Sequence, residues 1–185
     1  MKFFARFFTV VCLALVLSPC LFPVTVLAKS GAEIDFAADQ ALERFKREVV
    51  AADEILKRAK GVLVMPSVIK AGIGLGGEYG EGVLRVNGKT VEYYNIIGGS
   101  FGFQLGAQIK SIFMIFLEDF ALDGFRASDG WRAGVDGSVA LITVGADGSV
   151  DTTKTSQPIV AFVIGQKGLM YNLTLEGSKF NKLQK

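Results

Sequence analysis

Within AGIGLGGEYG, residues 71–80, Gly72, Gly74 and Gly77 stand in the spacing G-x-G-x-x-G. Between a strand and a helix, that spacing lets backbone N–H groups at the helix N-terminus receive a pyrophosphate. The residues that follow exclude this chemistry. Gly80, Gly82 and the pair Asn87-Gly88 come next, and no helix of useful length tolerates them. Glu92 stands where a ribose-binding acid would, but it falls in the return strand of a hairpin. The fingerprint is a coincidence of glycine density.

Other chemistries are limited by residue type. The chain has no histidine, and its two cysteines, Cys12 and Cys20, lie near the N-terminus. Imidazole acid–base work, Ser-His-Asp or Cys-His nucleophiles and ordinary zinc or haem sites are therefore not expected. Carboxylates remain, with Glu118, Asp119 and Asp123 in one stretch and Asp129, Asp136 and Asp147 near glycines, but none shows the D-x-[DN]-x-[DN]-G spacing of a calcium loop. The expectation is a protein without catalytic residues, metal or cofactor.

The N-terminus reads as an export signal. Lys2 and Arg6 precede an uncharged stretch from Phe7 to Ala28, and Val26-Leu27-Ala28 supplies the small residues of a cleavage site. Residues 1–28 are then a signal peptide and residues 29–185 a single domain. Two other readings stay open: Leu17-Ser18-Pro19-Cys20 resembles a lipoprotein box that would place a lipid on Cys20, and the apolar run is long enough to remain as an anchor. All three place the domain outside the cytoplasm, in the periplasm or the cell envelope. Without Lys2 and Arg6 the basic residues only balance the 18 acidic ones, which argues against general polyanion or nucleic-acid binding.

The elements that carry these residues follow from periodicity. Ser30 and Glu33 have capping-box spacing, and Ile34, Ala38, Ala41, Phe45, Val49, Ala52, Leu56 and Ala59 form an apolar stripe. The segment predicts an amphipathic helix, broken once, with Lys57, Arg58 and Lys60 gathered at its end. It either packs its stripe on the domain or lies on a membrane surface. Beyond Lys60 the period becomes two, with a break at Pro66, a tight hairpin at Asn87-Gly88 and a strand from 100 to 116 that ends fully apolar. Residues 117–128 have helical spacing, strands resume at Trp131, and residues 146–158 form a polar loop. A last hairpin is expected around Gly165 and Gly168, and SKFNKLQK reads as a basic tail. The fold class is α+β: a long N-terminal helix on a twisted, glycine-rich, mainly antiparallel sheet that curls toward a barrel.

Glycine parity adds one constraint. Gly72, Gly74 and Gly76 are two apart, as are Gly80 and Gly82, so each set strips one strand face of side chains. Either a helix, strand or tightly coiled sheet packs closely there, or the face is a backbone-lined groove for an acyl chain or head group.

The ordered blocks AKGVLVMPSVIKAGIGLGGEYGEGVL, SFGFQLGAQ, ALDGFRASDGW, AGVDGSVAL and GQKGLMYNLTLEG resemble the SYLF domain, also called the Ysc84 or DUF500 family. The resemblance runs from about Ala32 to about Leu183. It implies membrane-lipid binding without catalysis: eukaryotic members bind phosphoinositides and some bind actin filaments, whereas bacterial members carry a leader and are described as lipid-binding. Actin binding does not carry over to an exported protein. Lys57, Arg58, Lys60 and Lys70 surround the AKGVLV block and are the candidate contacts for anionic phospholipid head groups. The expected function is lipid or membrane-surface binding in the bacterial envelope; the alternative is a periplasmic structural or protein-interaction module that touches no lipid.

Overall fold

The computed structural model describes residues 29–142, 144, 147–150, 157–168 and 175–185. The leader, residues 143, 145 and 146, residues 151–156 of the polar loop and the segment 169–174 lie outside the described residues. Among these, no helix is long and apolar enough to cross a membrane.

Helix α1 (Gly31–Glu48) begins at the capping box. The Ser30 N–H donates to Glu33 Oε2 at 2.7 Å, and the Glu33 N–H donates to Ser30 Oγ at 3.3 Å. These bonds satisfy N–H groups that a helix start leaves free. The helix breaks at Val49–Ala51, and α2 (Ala52–Arg58) follows. The break shifts the stripe. Ile34, Ala38, Ala41, Phe45, Val49 and Ala52 are buried, but Ile55 then enters the core, and Leu56 and Ala59 turn half outward.

Two long strands make the scaffold. β1 (Gly61–Val86) and β2 (Lys89–Phe116) pair antiparallel along almost their whole length. Asn87 and Gly88 join them with φ of 51° and 74°, the left-handed pair that a two-residue hairpin needs. Pro66 does not end β1: the register slips between Met65 and Val68, and such a bulge accommodates a residue with no N–H to give. Helix α3 (Asp119–Ala127) follows, then β3 (Trp131–Arg132), β4 (Ala140–Ile142), β5 (Ile159–Gly168) and β6 (Lys179–Leu183). The sheet order is β3-β6-β2-β5-β4, with β1 also on β2; of the strand pairs, only β4 with β5 is parallel. The sheet curls into a half-barrel, and the fold is α+β.

Two sequence expectations are corrected. β5 runs straight through Gly165 to Gly168 and pairs there with Ile109 and Gln108, so no hairpin turns at these glycines. Gly165, at φ 64°, instead absorbs a register slip within the strand. The basic tail is a sheet strand: β6 lies between β3 and β2, with Phe180 fully buried.

Each face of the sheet carries a core. On the convex face α1 lies over Val64, Val83, Phe113, Ile115 and Phe162, and Phe45 stacks on Phe113 at 4.6 Å between ring centroids. On the concave face Ile112, Met114 and Phe116 meet Tyr94, Phe125, Trp131 and Phe180. The run 112–116 is apolar at every position because both of its faces are covered.

The glycine faces are closed by the curl itself. A Cβ at Gly80 would lie 2.8 Å from Ser67 O and from Val68 Cγ2. One at Gly82 would collide with Val64 O and Met65 Sδ, and one at Gly72 with the Gly76 backbone. β1 therefore folds back onto its own first half, and glycine permits the backbone to approach that closely. The surroundings of Gly74 lie outside the described residues.

Candidate functional site

A cleft of about 480 Å³ opens where the two helices meet the closed end of the β1–β2 hairpin. Leu42 of α1, Leu56 of α2, and Ala59 and Val62 beyond it make its apolar lining. Lys46, Lys57 and Arg85 supply its cations, and the Asn87-Gly88 turn closes one side. The helix break positions Leu56 here, since an unbroken helix would have kept it on the buried stripe.

The three cations differ in what neutralises them. Arg85 pairs with Asp39 and, at 3.6 Å, with Asp35, and it donates to the Asp35 carbonyl at 3.3 Å. Asp35 also accepts from Thr90 Oγ1 at 2.6 Å and from the Tyr93 hydroxyl at 2.8 Å. Partial burial pushes the Asp35 carboxyl up, but these two hydrogen bonds and the Arg85 charge hold it below its ordinary value. Arg85 is thus a structural clamp between α1 and the hairpin. Lys46 has a surface partner in Glu43 at 2.9 Å. Lys57 is exposed and makes no ion pair among the described residues, so its charge faces the cleft mouth uncompensated.

Of the residues named from sequence, Lys57, Arg58 and Lys60 share the end of α2. Arg58 is exposed; Lys60 bonds Asp119 Oδ2 at 3.1 Å, with both side chains open to water. Phe120, next in the chain to Asp119, is 68% exposed, which puts an uncovered aromatic ring beside this basic cluster. Lys70 is elsewhere. It lies nine residues along β1 from Gly61, about 30 Å of extended strand, and it is buried on the concave face with 4% exposure. Nearness in sequence misleads here because a strand covers more than twice the distance per residue that a helix does.

Lys46 and Arg85 were not expected in the site. Each is separated from Lys57 by an element boundary, and only the packing of α1 against the hairpin brings them together. The arrangement has an apolar floor, the unpaired Lys57 ammonium and the Lys46 ammonium paired with Glu43 at the rim, and an exposed phenyl ring nearby.

No curated protein matches the chain. Residues 97–185, from within β2 through β6, match the model of the Ysc84 family, described as Las17-binding protein actin regulator; α1, α2, β1 and the cleft lie before the matched residues.

Proposed function

We propose that this protein is a non-catalytic lipid-binding protein of the bacterial cell envelope, which docks on anionic membrane surfaces through the cleft at the end of α2. The observation that carries the reading is the cleft itself, where Lys57 and Lys46 stand over Leu42, Leu56 and Val62. Exposed Phe120 beside Lys60 supports it, since an aromatic ring next to cations suits the boundary between head groups and acyl chains. The export signal read from residues 1–28 is the reason for placing it in the envelope.

Co-sedimentation with vesicles tests the reading. Vesicles of phosphatidylglycerol and phosphatidylcholine should carry the protein down, and pure phosphatidylcholine vesicles should not. Equal sedimentation with both, or with neither, would overturn it. A second reading has its own observation: Ile69, Leu75, Ile97 and Ile109 are 48–65% exposed on the convex sheet face, and such a stripe suits a protein partner. Failure to bind either vesicle would favour that reading.

A further inference from the structure

The middle of the long hairpin is inside out. In the β1–β2 register Ile69 faces Ile109, Ala71 faces Ala107 and Tyr79 faces Ile97, and all six side chains are exposed on the convex face, as is Leu75. None of them carries a charge. The alternate positions Lys70, Glu78, Gln108 and Lys110 belong to the concave face and are buried. A half-buried sheet in water turns its polar side outward, whereas polar-in, apolar-out alternation belongs to strands whose outer face meets hydrocarbon.

One end of this stripe is bordered by cations. β6 places Lys179 opposite Ile97. On the next rung of the same face Glu81 stands opposite Asn95, and Glu81 Oε2 lies 3.3 Å from Lys185 Nζ, which donates to the Lys29 carbonyl at 2.7 Å. Glu81 neutralises Lys185, so the positive charge at this end comes from Lys179 and from Lys29, which is exposed. Lys29 is also where residues 1–28 join the domain. A lipid on Cys20, or an apolar run kept through Ala28, would tether this same end to the bilayer.

We propose that the stripe enters the acyl layer of an anionic membrane, with Tyr79 at the interface and Lys29 and Lys179 at the level of the head groups. The proposal rests on the lipid-binding reading for the class of its occupant, but it is a separate contact surface, since none of the stripe residues lines the α2 cleft. Along the face the order is apolar, then aromatic, then cationic. That order matches the path from acyl chains through the interface to anionic phosphates, and it favours a bilayer over a protein partner.

Vesicles of phosphatidylglycerol and dibrominated phosphatidylcholine test this with the purified protein, because bromine quenches an indole only within the acyl layer. Trp131 is buried, so its emission should not respond. Ile97→Trp should lose most of its added emission on binding. Ile69→Thr/Ile97→Thr keeps the branched side chains that a strand favours, so its thermal transition should stay near that of the wild type while vesicle binding weakens about tenfold. Quenching at Phe120→Trp without quenching at Ile97→Trp would assign the membrane to the cleft and overturn the stripe. Sedimentation that survives Lys46→Glu/Lys57→Glu but is lost in the threonine variant would keep the stripe and refute the cleft. If the wild type sediments with no vesicle, the lipid occupant is refuted and the stripe belongs to a protein partner.

Discussion

Lys57 and Glu92 show how the surroundings of a single charge decide its role. Lys57 has no partner among the described residues and stands over apolar lining, so reversing it changes the surface and not the fold. Lys57→Glu combined with Arg58→Glu should abolish sedimentation with anionic vesicles and leave the thermal transition nearly unchanged, because exposed charges contribute little to folding. Raising salt to about 0.15 M should weaken wild-type binding, since the screening length there is about 8 Å. Retained sedimentation by the double variant would remove the cleft from the mechanism. Glu92 is the opposite case. It accepts from the Tyr94 hydroxyl at 2.7 Å and from Arg126 at 3.2 and 3.4 Å, and Lys182 lies 3.5 Å away. Burial pushes its carboxyl up, but the Tyr94 and Arg126 bonds and the two positive charges bring it below the ordinary value. A carboxyl lowered by folding stabilises the folded state above its unfolded pKa, about 4.3, and loses that stabilisation as pH falls through the folded value. The melting temperature should therefore drop on acidification below about pH 4, and Glu92→Gln should flatten that drop while lowering stability at pH 7. An identical acid profile in Glu92→Gln would show that Glu92 carries none of it.

At the scale of the element, β1 is the unusual part. A strand of 26 residues that meets its own first half needs positions without Cβ, and Gly80 and Gly82 provide them against Ser67, Val68, Val64 and Met65. Gly82→Val should destabilise the protein by about 3 kcal/mol or more, because the backbone it would strike cannot move aside as a side-chain tip can. Gly99→Val is the control: a Cβ there meets nothing within 4 Å, so its melting temperature should stay close to that of the wild type. Equal effects of the two substitutions would mean that the curl does not depend on glycine at Gly82. The parity of these glycines was legible in the sequence as a bare face. What covered the face was not, because a strand touching itself is a contact that no periodicity encodes.

For the whole molecule, the last strand holds the sheet together. β6 bridges β3 and β2, and Phe180 packs against Phe125 and Trp131 at 6.1 Å between centroids. Phe180→Ala should cost about 3–5 kcal/mol, read as a lowered melting temperature, whereas a tail lying loose on the surface would tolerate the change. The sequence read SKFNKLQK as such a tail, since five residues with three cationic or amide side chains show no clear alternation, and only its neighbours in the sheet make it a strand. Much else was legible. Local rules determined the capping box at Ser30 and Glu33, the helix with one break, the Asn87-Gly88 hairpin, the helix after Phe116 and the α+β class, because each depends on residues a few positions apart. The absence of histidine and the emptiness of the dinucleotide fingerprint were likewise matters of composition and flanking residues. Tertiary structure alone decided the sites. It carried Lys70 away from Lys57 and into the concave face, set Lys46 and Arg85 beside Lys57, and joined Lys110 to Glu78 and Ser178 across three separate parts of the chain. Side-chain periodicity tells which way a residue points along its own element, but which charges meet is settled by how far each element travels and how tightly the sheet curls.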